Sequence, residues 1–212
     1  MITATNDTAK QVAEYLLQIK AIKLQPQNPF KWSSGWNSPI YCDNRVSLYY
    51  PEIRNYIKDS FVAQIKDKYP NAEVIAGVAT AGIAMGALIA DAMNIPYCYV
   101  RPEPKKHGAG KQIEGASPSG KNVVVIEDLI STGGSSLKAV DALRIDNANV
   151  LGMAAIFTYG FPHAEENLSN ADCPYFTLSN YETMLPQAIE SGYIKEEDLD
   201  LLKDWRKDPA KW

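Results

Sequence analysis

The chain has 212 residues, of which 46% are hydrophobic and 22% charged, with a formal net charge of −4. This balance suits one globular domain with a full core and excludes disordered and fibrous chains. The acidic charge argues against non-specific binding to nucleic acid. No apolar run approaches the roughly 20 residues of a bilayer span, and MITATNDTAKQ lacks the basic start and apolar stretch of a secretory signal. The sequence therefore implies a cytoplasmic protein with neither nucleic acid nor membrane as partner. Cys42, Cys98 and Cys173 are far apart and form no CxxC pair, which fits a reducing compartment.

Between Asp7 and Ile22 the apolar positions Val12, Tyr15, Leu16, Ile19 and Ile22 recur at helical spacing, predicting an amphipathic helix. The stretch LQPQNPFKWSSGWNSPIYCDNR is too rich in Pro, Asn, Ser and Gly for a helix and reads as short strands and turns in a small lobe over the main fold. Pro51 opens a second helix reaching about Tyr69. Apolar runs without polar alternation follow at 74–80, 97–102, 122–128 and 149–159, the signature of strands buried on both faces. Helical segments at 81–94 and 135–147 separate them, and His163 begins another helical stretch. From about Tyr181 the tail reads as two short helices with a turn at Ser191-Gly192. Alternating β and α elements predict an α/β fold with a central parallel sheet of about five strands and right-handed crossovers. The expected organisation is one domain over 1–212, with the lobe mainly 1–45 and the C-terminal helices packed beside the core.

The chemistry concentrates in VVVIEDLISTGGSS, residues 123–136. Ile126-Glu127-Asp128 marks a strand end, where open parallel sheets bind ligands. From Leu129 and Ile130 to Ser135 the chain must turn into a helix. Gly133 and Gly134 let several N–H groups converge, while Ser131, Thr132 and Ser135 add hydroxyls at the positive end of a helix dipole. That combination suits a phosphate. Glu127 and Asp128 would repel a bare phosphate but accept hydrogen bonds from ribose hydroxyls, so a sugar phosphate fits both halves. The spacing is neither GxxxxGK[ST] nor GxGxxG. The same turn would also serve simply to begin a helix.

VVVIEDLISTGGSS resembles the phosphoribosyl-pyrophosphate (PRPP) motif of the type I phosphoribosyltransferases. NPFKWSSGWNSPIYCDNR, GVATAGIAMG and VRPEPKKHGAGKQIEG, in that order, resemble segments of the orotate branch of that family. The resemblance implies the type I phosphoribosyltransferase fold with an N-terminal hood. It also implies transfer of ribose 5-phosphate from PRPP to N1 of orotate in pyrimidine biosynthesis. The partners implied are PRPP, orotate, Mg²⁺ carried by PRPP with no direct protein ligand, and a second copy of the chain sharing a loop across the dimer interface. By position, Arg101 would bind pyrophosphate. Lys105 would act on the leaving group, His107 would order the loop, and Lys106 would add charge. Thr80, Ala81 and Gly82 would form a pyrophosphate loop, and Asp128 joins Lys105 and His107 as a catalytic candidate. Ser34, Gly35, Tyr41, Cys42, Ser131 and Tyr159 would surround the base. Where some members carry lysine or arginine, this chain has Ser33, Ala81, Pro102 and Tyr159. A phosphoribosyltransferase for another base, or a PRPP-sensing regulator, would share the PRPP motif. The basic stretch would also suit a solvated surface loop, and the small residues at 77–86 would also suit helix–strand packing.

Overall fold

The computed structural model describes residues 2–3, 6–32, 35–104 and 112–212. The expectations for Ser33, Ser34, Lys105, Lys106 and His107 lie outside the described residues. In chain order the elements are β1 (Ile2–Thr3), α1 (Asn6–Gln18), β2 (Ile22–Leu24), β3 (Phe30–Lys31), β4 (Asn37–Ser38), β5 (Ile40–Cys42), a 3-10 helix (Asn44–Tyr49), α2 (Pro51–Lys68), β6 (Val74–Val78), α3 (Gly82–Met93) and β7 (Tyr97–Val100). There follow β8 (Ile113–Glu114), β9 (Asn122–Ile130), α4 (Gly134–Ile145), β10 (Asn149–Thr158), α5 (Pro162–Asn170), β11 (Tyr175–Asn180), α6 (Tyr181–Glu190), a 3-10 turn (Glu196–Asp198) and α7 (Leu199–Lys207).

The central sheet has seven strands in the order β1-β11-β10-β9-β6-β7-β8. Its five inner strands pair in parallel, and β8 closes one edge antiparallel to β7. The apolar runs explain this arrangement. Val74, Ile75, Ala76 and Val78 of β6 and Val123 to Ile126 of β9 are buried, as strands covered by helices on both faces must be. The β6–α3–β7 crossover runs one way along the sheet and β9–α4–β10 the other, so right-handed connections place α3 and α4 on opposite faces. The strand order reverses between β6 and β9, and the carboxyl ends of both strands meet there.

Three local expectations change. The first helix stops at Gln18 because Lys20 takes a left-handed φ of +57°, and Ile22 then alternates buried-exposed-buried with Lys23 and Leu24 as part of β2. Strand β9 runs through Ile130, since Leu129 and Ile130 pair with Phe157 and Thr158; the turn is confined to Ser131, Thr132 and Gly133. Helix α1 packs on β11 and α6, and β1 extends the main sheet beside β11, so the lobe's own hairpins come from 22–42.

The C-terminal helices hold that lobe. Trp205 of α7 is fully buried, its indole N–H donates to the Asn37 carbonyl at 3.3 Å, and its ring meets those of Trp32, Tyr159, Phe161 and Tyr181. Burying a side chain of that size is worth on the order of 3 kcal/mol. The Tyr193 hydroxyl adds a bond to the Ile22 carbonyl at 3.3 Å.

Candidate functional site

At the end of β9 the acidic pair is divided. Glu127 is 6% exposed and its two oxygens are already engaged: Oε1 accepts the Asp128 backbone N–H at 3.0 Å, and Oε2 accepts the Ser136 hydroxyl at 2.9 Å. It thus locks the strand end to the first turn of α4. Burial, with the neighbouring Asp128 charge second, pushes the Glu127 carboxyl up to about 8. Burial also raises the Asp128 carboxyl. Asp128 is half-buried, and its backbone carbonyl accepts the Asn44 side-chain amide at 2.8 Å.

Gly133 makes the turn possible, with φ +81° in the region that favours glycine. Helix α4 then starts at Gly134, and no described side chain caps it. The N–H groups of its first turn point at the loop, with the Ser131, Thr132 and Ser135 positions around them. Ile130 is 1% exposed and its carbonyl accepts the Thr158 hydroxyl at 2.9 Å, so its side chain belongs to the core and not to the site.

A cleft opens on each side of this turn. One, about 580 Å³, has aromatic walls from Trp32, Trp36 and Tyr41, hydroxyls from Ser131 and Thr132, and Lys31 at its edge. Leu129, Cys42 and Tyr159 complete its lining. Of the residues expected around a base, Tyr41, Cys42, Ser131 and Tyr159 therefore converge. Gly35 instead makes the β3–β4 turn, with φ +87°. Tyr159 is 2% exposed and supplies the cleft floor, not a reaching hydroxyl, and burial raises its phenol well above the usual value. Burial likewise pushes up the Cys42 thiol, with Asp128 the next cause.

The second cleft, about 190 Å³, lies between the ends of β6 and β7 and the start of α4, and includes Arg101, Pro102, Ser135 and Lys138. The Arg101 guanidinium is 3.5 Å from the Glu114 carboxylate. Thr80 is exposed and Ala81 partly so at the start of α3, which no described side chain caps. Gly82 is a packing residue: a Cβ there would collide with the Ile126 carbonyl oxygen of β9.

Sequence reasoning missed Lys31, Trp32, Trp36 and Lys138. Trp32 and Trp36 stack across the β3–β4 hairpin with ring centres 6.5 Å apart, a pairing visible in the sequence only once the hairpin is known. Lys138 follows Ser135 by almost one helical turn, a spacing that could have flagged it.

A parallel sheet whose strand order reverses beside a Ser-Thr-Gly turn at an uncapped helix start, with a cleft on either side, is the architecture of a type I phosphoribosyltransferase. The chain matches the family described as phosphoribosyl transferase domain over residues 51–183. It is 58% identical over 200 residues to orotate phosphoribosyltransferase of Bacteroides thetaiotaomicron, covering 94% of each chain. The solved orotate phosphoribosyltransferase of Aeropyrum pernix superposes with TM-score 0.74 at 28% identity, over 86% of this chain and 99% of that one. UMP synthase of Leishmania donovani shares the fold, with TM-score 0.78 at 24% identity over 96% of this chain; the chain spans 42% of that protein. The chain belongs to the orotate phosphoribosyltransferase family.

Proposed function

We propose that the protein transfers ribose 5-phosphate from PRPP to N1 of orotate, releasing pyrophosphate and giving orotidine 5′-monophosphate for pyrimidine biosynthesis. The observation that carries this reading is the aromatic, hydroxyl-lined cleft of about 580 Å³ beside the uncapped start of α4. A planar base fits the first and a 5′-phosphate the second.

Cleaving the C1–O bond leaves an oxocarbenium-like ribose and builds charge on pyrophosphate, so the protein must hold the sugar and neutralise the leaving group. Asp128 accepts the ribose hydroxyls at the strand end. Glu127, whose oxygens are engaged within the protein, fixes the Asp128 backbone and the first turn of α4. The turn Ser131–Gly133 and the start of α4 at Gly134 and Ser135 take the 5′-phosphate, and Ser131 also faces the base. Arg101 and Lys138 line the smaller cleft, which takes the pyrophosphate, and Thr80 and Ala81 directly follow its lining residue Ala79 in the chain. Lys105 stabilises the leaving oxygen, with Lys106 and His107 beside it.

Among the described residues no group of three or more His, Cys, Asp or Glu side chains is placed to hold a metal ion. Mg²⁺ would arrive on PRPP and supply positive charge against the departing pyrophosphate. The protein acts as a cytoplasmic homodimer in which Lys105 and His107 serve the partner's site. The exposed pair Tyr49 and Tyr50, with ring centres 5.3 Å apart, suits such an interface.

An ultraviolet assay with PRPP and Mg²⁺, run on orotate beside uracil, adenine, guanine and hypoxanthine, tests the reading. Loss of absorbance with orotate is expected. Turnover of another base alone would overturn the base assignment, and PRPP binding without turnover of any base would point to a regulator.

A further inference from the structure

We infer that Lys31 is the base-selecting residue of this site, the cation that receives the carboxylate of orotate. The inference rests on the functional reading above and deepens it. Among the described residues lining the larger cleft, Lys31 is the single cation, and no carboxylate lines it. The remaining walls are aromatic, aliphatic, thiol or hydroxyl. An anionic base that entered such a cleft without a counter-charge would lose hydration with only hydroxyl hydrogen bonds in return, which is costly for a full charge.

Tyr159 cannot supply the charge. It carries none, its phenol is pushed well above the ordinary value, and it lies 2% exposed under Trp32 with ring centres 5.2 Å apart. Lys31 reaches the cleft through the lobe's own geometry. It pairs with Asn37 in the β3–β4 hairpin, whose tip is closed by the Gly35 N–H donating to the Trp32 carbonyl at 2.9 Å. The neighbouring Trp32 side chain is fixed from the other direction, its indole N–H donating to the Ile40 carbonyl at 3.0 Å. A lysine on this short strand offers a point charge on a flexible stem, exposed at the cleft edge and able to settle over a ligand edge. Stacking on the tryptophans would accept any planar base; charge from Lys31 favours the one bearing a carboxylate.

The test compares wild type with Lys31→Met and Lys31→Arg. Orotate and uracil binding is read by tryptophan fluorescence, and KM for orotate and for PRPP by steady-state kinetics. Lys31→Met should weaken orotate binding and raise its KM roughly tenfold, as loss of one charge-assisted contact implies. The KM for PRPP, kcat and uracil binding should stay within about twofold, and Lys31→Arg should restore most of the loss. Wild-type turnover of orotate with an unchanged orotate KM in Lys31→Met would overturn the assignment of Lys31 alone. An equal rise in both KM values would also overturn it, marking a general field effect. Wild type that neither binds nor consumes orotate would overturn the functional reading and the Lys31 assignment together.

Discussion

The side-chain amide of Asn44 donates to the backbone carbonyl of Asp128 across 2.8 Å, joining the end of the lobe to the end of the central strand. Asn44 is 1% exposed and its Oδ1 also accepts the Cys42 thiol at 3.3 Å. One buried amide thereby fixes the Cys42 wall of the larger cleft relative to Asp128, the proposed ribose acceptor. Asn44→Ala leaves the Asp128 carbonyl unsatisfied, at a cost of roughly 1–3 kcal/mol. The expected result is a Tm lower by roughly 2–10 °C and a raised KM for orotate. An unchanged melt and KM would show that the lobe is held without it.

Glu127 makes stability depend on pH. Its carboxyl keeps its proton in the folded chain up to about pH 8, whereas an unfolded chain releases it near the ordinary carboxylate value of about 4.3. Between those limits the folded state binds the extra proton, so stability falls as pH rises and levels off above the folded value. Glu127→Gln removes the titration. Thermal melts across that window should show the variant gaining on wild type as pH rises; parallel curves would contradict the assignment.

Gly82 tests close approach between α3 and β9. The Cβ of Gly82→Ala would meet the Ile126 carbonyl, a backbone atom that cannot swing aside. Overpacking of this kind costs roughly 1–3 kcal/mol. A denaturant titration should give a lower midpoint; equal midpoints would mean that the helix shifts freely.

The proposed sharing of Lys105 between subunits predicts complementation. Lys105→Ala and Asp128→Asn should each be nearly inactive, yet mixing and reassociating them should return about a quarter of wild-type activity, because half of the dimers are hybrids with one intact site each. No recovery would place Lys105 in its own subunit's site.

Much of this was legible because the core is apolar in long runs. Val123 to Ile126 announced β9, and Glu127-Asp128 with the Ser-Thr-Gly turn announced where that strand ends and α4 begins. Strand β11 was harder to see, since Thr177, Ser179 and Asn180 are polar yet buried, Ser179 donating to the Ala9 carbonyl at 2.7 Å. Ile22 fitted the helical period by chance and belongs to a strand that only the turn at Lys20 sets apart. The different duties of Glu127 and Asp128 were invisible in sequence, because adjacent strand residues point to opposite faces and only packing decides which face is buried. The cleft at Lys31, Trp32 and Trp36 exists only where the lobe folds back on β9.

The most direct measurement is pyrophosphate release from PRPP by the purified protein, followed with orotate consumption in the same sample. One pyrophosphate formed per orotate lost, with orotidine 5′-monophosphate as the product by mass, is the predicted result. PRPP bound without pyrophosphate release, or pyrophosphate released while orotate is untouched, would contradict it.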